Sequence, residues 1–361
     1  MNRVPPPQID RPAPASLWSR DFKPVLGALL ESSSASRFFE GLWNLRNHSR
    51  QACFPARPTR SRELTVEVTN ICNANCVFCG YQFQERPTGV MSLDLFRQIV
   101  DQYAAIGGGM IELTPVVGDP LVDKGLEEKV GYARSVPGIG RLSFITNGIL
   151  LRRARFEALV AAGITHITIS ISGLDPKEYE RVYRSTAYRT VIDNLVDIAA
   201  SPLFGRVEFA LGIRSDTWFA WRRSPDLARL KRLGYTRVGS MLFLDNWSGR
   251  IATATLPGAF LVRPPRRKKN PCWMLYNSIT VLADGRMTAC GCRDLNGTSE
   301  LGLGSIHDQR LDSPWIDGRM EALRQRFRDG NPPDVCRDCR HYVPAREIDA
   351  LNSENGKPAD T

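Results

Sequence analysis

The sequence predicts an α/β fold in which a curled parallel sheet, covered by helices, is followed by a small cysteine-rich domain. Two observations predict the sheet: six strand-like segments alternate with helix-like segments, and the strands carry apolar residues on one face and polar residues on the other. In His166–Ser172, for example, isoleucines alternate with polar residues. A late group of cysteines around a hairpin-like segment predicts the second domain.

The first strand is predicted at Leu64–Thr69, and the helix after it begins behind Ser92, a residue type suited to capping a helix. The other predicted strands are Met110–Thr114, Arg141–Gly148, His166–Ser172, Arg206–Arg214 and Arg237–Leu244. The other predicted helices are Val122–Ser135, Arg152–Ala162, a long one from Pro176 to about Ala199, and Asp226–Leu233. Right-handed crossovers would make the sheet parallel, with its polar face lining a lumen. The alternative is a sheet with one face in water.

Residues 1–60 are rich in Pro, Ser and Arg and hold one amphipathic helix, Ser36–Arg46, which we expect to pack on the main domain. The chain after this N-terminal extension is predicted to divide into a barrel over 61–250, a basic linker over 251–271, a cysteine-rich domain over 272–345 and a polar tail over 346–361.

The composition is that of a globular protein: 42% of the 361 residues are hydrophobic and 24% are charged. No apolar run reaches the ~20 residues of a membrane span, and the start, M-N-R-V-P-P-P-Q, lacks the apolar block of a secretory signal. We therefore expect a cytoplasmic protein without a membrane partner, whose nine cysteines are metal ligands or catalytic thiols rather than disulfides. The net charge of +10 is partly concentrated in Arg263–Asn270, which is predicted to be a solvated linker. Because no nucleic-acid-binding motif lies near this run, basicity alone does not predict a nucleic-acid partner.

Three cysteines, Cys72, Cys76 and Cys79, directly follow the first strand with the spacing CxxxCxxC. Thiolates bind zinc or iron–sulfur clusters, but a structural zinc site takes four ligands and no histidine is near. A [4Fe–4S] cluster held by three cysteines keeps one iron open, and an open coordination position distinguishes a reactive metal site from a structural one.

Over roughly Glu63–Asp245 the chain resembles the radical S-adenosylmethionine (radical SAM) superfamily, whose signature is CxxxCxxC at this place in a partial (βα)6 barrel. Phe78, the aromatic residue before the third cysteine, fits that signature. V-G-D-P resembles the family's GGEP turn, with Asp in place of Glu and Val117 in place of the first Gly, and S-I-S-G resembles S-x-D-G with Ser in place of Asp. The resemblance implies these cofactor-binding residues: Phe78, Gly118, Asp119, Pro120, Asn147, Ser170 and Ser172.

The resemblance also implies a mechanism. S-adenosylmethionine binds the open iron of the cluster, and one electron from the reduced cluster releases methionine and a 5′-deoxyadenosyl radical. That radical takes a hydrogen atom from an unactivated C–H bond, while the barrel positions the substrate and excludes water. A flavodoxin or ferredoxin is the implied electron donor.

The second cysteine set consists of Cys272, Cys290, Cys336 and Cys339. A hairpin is predicted from Ser278–Leu282 and Arg286–Ala289, and a helix at Trp315–Phe327. By its chemistry alone the set suits structural zinc. Behind such a barrel it resembles a SPASM/twitch extension, in its shorter twitch form, which implies one auxiliary [4Fe–4S] cluster that accepts the second electron when a substrate radical is oxidised.

Two cysteines remain. Cys53 is expected to be an idle thiol, whereas Cys292 is a candidate catalytic residue that could donate a hydrogen atom during an epimerisation or serve as an alternative cluster ligand. From the polar lumen, Glu112, Arg214 and Asp245 are candidates for substrate contacts or, equally, for structural ion pairs.

The spacing of the second set most resembles aminocyclitol dehydrogenases and related enzymes of aminoglycoside pathways. The leading hypothesis is thus a radical SAM oxidoreductase or epimerase that acts on a small polar substrate of amino-sugar type. One alternative is a maturase of a ribosomal peptide, and another is a non-catalytic iron–sulfur or zinc protein that binds RNA.

Overall fold

The computed structural model describes residues 53–55, 58 and 60–348, apart from 115, 218, 242 and 292, and only the backbone of 53–55 and 346–348. The predicted helix at Ser36–Arg46, Cys292, the side chain of Cys53 and the tail beyond 348 lie outside the described residues.

The strands are β1 Cys53–Pro55, β2 Glu63–Val66, β3 Gly109–Glu112, β4 Ile139–Thr146, β5 His166–Ile171, β6 Glu208–Ile213, β7 Arg237–Ser240, β8 Phe243–Leu244, β9 Leu261–Val262, β10 Ser278–Val281, β11 Arg286–Thr288, β12 Gly302–Ser305 and β13 Arg346–Ile348. The helices are α1 Leu93–Ala105, α2 Leu126–Ser135, α3 Arg153–Ala162, α4 Pro176–Tyr183, α5 Tyr188–Ala199, α6 Pro225–Arg232, α7 Met274–Asn277, α8 Ser313–Ile316, α9 Arg319–Arg328 and α10 Asp334–Arg337.

Within the described residues, nine strands form one sheet in the order β12-β11-β10-β2-β3-β4-β5-β6-β7. Strands β2 to β7 are parallel, as the alternation of strands and helices predicts. Strand β10 also pairs in parallel with β2, with Ile279 opposite Leu64, and β11 and β12 continue the sheet in antiparallel fashion. The predicted hairpin of the cysteine-rich region is confirmed, and it extends the barrel sheet.

The two faces of the sheet differ as predicted. In β5, Ile167, Ile169 and Ile171 are fully buried in the hydrophobic core, whereas His166, Thr168 and Ser170 on the other face are only partly buried. Ser92 caps α1, since its Oγ accepts a hydrogen bond from Leu95 N at 3.2 Å. The apolar faces of the strands therefore lie against the core, and the polar faces are left for the lumen.

Two predicted helices are wrong in extent because the backbone of each is interrupted. The long helix from Pro176 is divided into α4 and α5 by Arg184, whose φ of 51° is left-handed. The helix predicted at Trp315–Phe327 is divided into α8 and α9 by Gly318, whose φ is 85°. A left-handed residue ends a helix in both cases.

The last predicted barrel strand, Arg237–Leu244, is also divided. Strand β7 joins the main sheet, while β8 pairs in parallel with β9 in a separate two-stranded sheet. Strand β9 belongs to the stretch predicted as a linker, and Arg263 N donates to Leu244 O at 2.9 Å. This pairing fixes the backbone of Arg263 beside the end of the barrel.

Candidate active site

A cavity of about 250 Å³ opens at the carboxyl ends of the parallel strands, where the loops of such barrels carry chemistry. The predicted site residues that line it are Cys72, Cys76, Phe78, Cys79, Gly118, Asp119, Asn147, Ser170, Arg214 and Asp245. Three predicted residues that the structure describes, Glu112, Pro120 and Ser172, do not line it. The three cysteines of the CxxxCxxC segment thus share one cavity with residues from the ends of several strands.

The cysteine loop after β2 is held by its backbone. Ala74 N lies 3.4 Å from Cys72 Sγ, and Tyr81 N lies 3.4 Å from Cys79 Sγ. Val77 N donates to Val182 O of α4 at 2.9 Å. Burial raises the pKa of the Cys72 thiol to about 12, so metal binding here must displace protons from the thiols.

The turn after β3 packs directly on the start of this loop. Gly118 has a φ of 123°, and a Cβ at this position would lie 2.9 Å from Thr69 O. Asp119 is buried, and its carboxylate accepts hydrogen bonds from Thr146 Oγ1 and Asn147 N, each at 2.8 Å. Burial raises the pKa of Asp119. These bonds tie the ends of β3 and β4 together below the cavity.

Asn147 and Ser170 present polar atoms to the cavity. Asn147 Nδ2 donates to Asn73 Oδ1 at 2.7 Å and lies 4.0 Å from Cys72 Sγ. Ser170 Oγ accepts a hydrogen bond from Arg214 Nε at 2.9 Å and lies 2.8 Å from the hydroxyl of Tyr183. The polar contacts predicted for the ends of β4 and β5 are therefore gathered around the cysteine loop.

Glu112 and Ser172 make no contact with the cavity. Glu112 accepts a hydrogen bond from Ser143 Oγ of β4 at 2.6 Å, which joins β3 to β4, and one from Thr114 N of its own segment at 3.2 Å. Ser172 is fully buried, and its Oγ has no hydrogen-bond partner among the described residues. Their roles at the site remain predictions.

The second cysteine set lines a separate cavity. Its wall combines the four cysteines with apolar residues: Cys272, Cys290, Cys336, Cys339, Leu275, Leu301 and Phe327. Among the described residues, no three metal-binding side chains converge on a position for a single ion. Four thiols around one cavity are a donor set that suits either a zinc ion or a [4Fe–4S] cluster.

Arg293 lines both cavities. Its Nε lies 2.9 Å from Asp245 Oδ2, and its guanidinium carbon lies 4.9 Å from the ring centre of Trp247. The Trp247 indole N–H donates to Phe78 O at 2.9 Å. The sequence left open whether Trp247 stacks on a ligand or fills a loop. In the structure it packs between the cysteine loop and Arg293.

The basic run after β9 is wrongly predicted as a solvated linker. Arg263 lines the first cavity. Lys268 Nζ donates to Cys339 O at 2.8 Å and lies 4.6 Å from the ring centre of Tyr342, and burial lowers the pKa of Lys268. Arg267 and Lys269 are exposed, as expected of a linker.

Sequence analysis missed several residues of the first cavity, among them Arg263, Arg293, Tyr183, Met241 and His341. The only local signal was that Arg293 lies three residues after Cys290 of the second set. Their convergence depends on tertiary packing, which no local pattern reveals. None of the described helices is both long enough and apolar enough to cross a bilayer.

Two family models match the chain. The model of the radical SAM superfamily matches residues 66–218, and the model of the SPASM iron–sulfur cluster-binding domain matches residues 272–340.

Among curated proteins, a GTP 3′,8-cyclase of Aeromonas hydrophila is 26% identical over 73% of this chain and 84% of its own length. A GTP 3′,8-cyclase of Pseudomonas entomophila is 32% identical over 40% of this chain. The chain spans only 43% of the length of the Pseudomonas protein and about half or less of that of several other GTP 3′,8-cyclases.

Two solved structures share the fold. BtrN in complex with AdoMet and 2-DOIA aligns with a TM-score of 0.54 at 20% identity, over 78% of this chain and 94% of that chain. Native anSMEcpe with bound AdoMet and Cp18Cys peptide aligns with a TM-score of 0.50 at 14% identity, over 74% of this chain and 84% of that chain.

The two family matches imply an S-adenosylmethionine-binding [4Fe–4S] cluster and an auxiliary iron–sulfur cluster. The donor sets fit: three thiols open into one cavity and four thiols surround another. The chain therefore belongs to the radical SAM superfamily and carries a C-terminal auxiliary-cluster domain of the SPASM type.

Proposed function

We propose that the chain binds S-adenosylmethionine in the first cavity and removes a hydrogen atom from a C–H bond of a small polar substrate, with oxidation or epimerisation as the outcome. The observation that carries the proposal is the opening of Cys72, Cys76 and Cys79 into one cavity together with Asn147 and Arg214. When bound, the reduced cluster supplies the electron for reductive cleavage of S-adenosylmethionine.

The chain's own residues keep the cysteine loop in place. Backbone N–H groups point at Cys72 Sγ and Cys79 Sγ, where they stabilise thiolate charge. The Val77–Val182 hydrogen bond and the Trp247 indole hold the loop from its two sides. Such support keeps a reactive centre in one geometry.

We assign Phe78, Asn147 and Ser170 to contacts with S-adenosylmethionine, together with the turn at Gly118–Pro120. In this turn Asp119 acts through others: its carboxylate orients Thr146 and the backbone of Asn147. Asp119 is thus a positioning residue in the proposal.

The second site would hold the auxiliary cluster through Cys272, Cys290, Cys336 and Cys339. Its apolar wall and the Lys268 hydrogen bond to Cys339 O suit a buried, electron-accepting centre. Cys292 stays a proposed hydrogen-atom donor or alternative ligand.

The finer parts of the proposal rest on sequence. They are the division into a barrel over 61–250 and an auxiliary domain over 272–345, a cytoplasmic location, and a flavodoxin or ferredoxin as electron donor. The family matches favour an enzyme over a non-catalytic RNA-binding protein.

Three substrate classes have support. The spacing of the second cysteine set suggests an amino-sugar or aminocyclitol substrate. A peptide is the alternative, and the peptide bound to anSMEcpe, which shares the fold, is in keeping with it. A phosphorylated substrate is suggested by the GTP 3′,8-cyclases among the relatives, and the three arginines that line the cavity favour this class.

The test is the formation of 5′-deoxyadenosine after anaerobic reconstitution, with S-adenosylmethionine and dithionite. We expect product from the wild-type protein and none from Cys76→Ala. Cys53→Ala is the matched control, because Cys53 has no proposed ligand role, and it should keep wild-type formation. Equal product from Cys76→Ala and wild type would refute the proposal.

A further inference from the structure

We propose that the cavity binds an acidic group of the substrate, a phosphate or a carboxylate, through Arg263 and Arg293, with Arg214 beside them. The inference rests on the proposed function and specifies the substrate class for the same cavity. It departs from a simple amino-sugar, whose ammonium group would meet these cations.

The charge balance of the cavity wall points to an anion. Its cations are Arg214, Arg263 and Arg293, and its carboxylates are Asp119 and Asp245. Asp245 pairs with Arg293, and Asp119 accepts hydrogen bonds from Thr146 and Asn147. Among the described residues, Arg214 and Arg263 form no ion pair with a carboxylate.

Arg263 is the residue that most needs a partner. Burial lowers its pKa; the nearby Asp245, which is already paired with Arg293, opposes this effect, and the charges of Arg293 and Arg214 lower the pKa further. Its one side-chain hydrogen bond to a described residue is a long one, 3.4 Å from Nε to Phe243 O. A partly buried cation near like charges is costly unless an anion joins it, and a planar guanidinium matches a phosphate or carboxylate with two parallel hydrogen bonds.

The arrangement is also preorganised. The β8–β9 pair fixes the backbone of Arg263, and Asp245 and Trp247 fix the guanidinium of Arg293. An anion bound here would meet cations that are already in place, which reduces the ordering cost of binding.

A competing explanation is that these arginines only balance the charge of the cluster thiolates. Lys268 already contacts the backbone of Cys339 at the auxiliary site, and Arg214 lies against Phe78 in the cysteine loop, at 4.9 Å from its ring centre. Arg263 has no described hydrogen bond or ion pair with a cluster cysteine, and the charge of Cys339 is the smallest of the influences on its pKa. The two explanations therefore differ in what the loss of Arg263 should change.

The experiment measures binding of four sugars by calorimetry to the reconstituted holoenzyme with S-adenosylmethionine present. The probes are glucose, glucosamine, glucose 6-phosphate and glucuronate, which share a ring and differ in one charged group. We expect at least one of the two acidic sugars to bind at least about tenfold more tightly than glucose, because a hydrogen bond to a charged group stabilises a complex by that factor. Comparison of the phosphate with the carboxylate shows which acid the cavity prefers.

Variants of Arg263 test whether this residue causes the preference for acidic sugars. Arg263→Gln should lose the preference for the acidic sugar, and Arg263→Lys should keep part of it because the charge remains. Arg310→Gln, on the surface, should change nothing. Iron content and visible absorbance show whether each variant has bound its iron–sulfur clusters, which identifies a misfolded variant. If Arg263→Gln is misfolded, Arg263→Lys is compared with the wild type instead.

Three results would overturn the inference: no binding of either acid at millimolar concentration, a preference for glucosamine, or a preference for acids that Arg263→Gln and Arg263→Lys both leave at the wild-type level. Formation of 5′-deoxyadenosine is measured on the same preparations. If it forms while acids do not bind, only the inference fails; if acids bind but it does not form, the proposed function fails.

Discussion

The ion pair between Glu67 and Arg86 joins the barrel to the C-terminal region, and breaking it should destabilise both. The guanidinium donates to both carboxylate oxygens, at 2.7 and 2.8 Å, and neither side chain is more than 4% exposed. Arg86 Nε also donates to Leu295 O at 2.9 Å, and Ala283 N donates to Glu67 Oε1 at 3.1 Å. The pair therefore anchors two segments of the C-terminal region, at Ala283 and Leu295, to the barrel.

Arg86→Met keeps the apolar stem of the side chain and removes the charge. It leaves Glu67 as a buried carboxylate with one described backbone donor, Ala283 N. Removal of one partner of a buried pair costs about 3–5 kcal/mol. The double variant Glu67→Gln/Arg86→Met buries no charge, so it should recover much of that loss, which makes the two substitutions strongly non-additive.

The assay is anaerobic urea unfolding of the reconstituted protein, followed by tryptophan fluorescence. Arg310→Met is the matched control, because that arginine pairs with Asp312 at the surface with its side chain 66% exposed, and it should leave the midpoint unchanged within error. A loss below about 1 kcal/mol for Arg86→Met, or a double variant no more stable than the sum of the single changes, would refute the reasoning.

Three further predictions concern the site and its supports. Burial and the neighbouring Asp216 raise the pKa of Glu178 to about 7, so the folded state holds a proton that the unfolded state loses above about pH 4.5. The free energy of unfolding should therefore fall by on the order of 3 kcal/mol as pH rises from about 4.5 to about 7. Glu178→Gln should flatten this pH profile in urea titrations, and an unchanged slope would contradict the assignment. Gly118→Ala places a Cβ 2.9 Å from Thr69 O at a φ of 123°, so it should weaken S-adenosylmethionine binding in calorimetry, and wild-type affinity would show that the turn can adjust. Trp247→Leu removes the indole hydrogen bond to the cysteine loop, so a chelator should extract iron several-fold faster than from wild type or from the control Trp315→Leu; equal rates would remove Trp247 as a support of the loop.

Most of the barrel could be predicted because its signals are local. The alternation in β5 is visible in the sequence, and the cap at Ser92 is a property of one residue and its neighbours. The interruptions of the predicted helices at Arg184 and Gly318 were harder to predict. An arginine with a φ of 51° has no distinctive sequence signal, and one glycine between helical turns is compatible with a continuous helix.

The site was predictable where motifs carry it and not where packing does. Ten predicted residues line one cavity, and eight of them come from the cysteine segment and from the strand-end motifs that resemble the family. The other two, Arg214 and Asp245, were chosen only as polar residues of the lumen. Arg263 was hidden in a basic run beside prolines, and only the β8–β9 pairing brings it to the cavity. Glu112 was selected because it lies on the polar face of a strand, but that face also holds the hydrogen bonds that join the strands.

The central claim is that two separate cysteine sets hold two iron–sulfur clusters, of which only the first cleaves S-adenosylmethionine. Iron and sulfide content after anaerobic reconstitution, measured with 5′-deoxyadenosine formation for wild type, Cys76→Ala and Cys336→Ala, tests it most directly. We predict about eight irons in the wild type and about half of that in each variant, since each set would hold one cubane cluster. Formation of 5′-deoxyadenosine should be lost in Cys76→Ala and retained in Cys336→Ala. A wild-type protein with about four irons, or with no iron and no 5′-deoxyadenosine, would contradict the account.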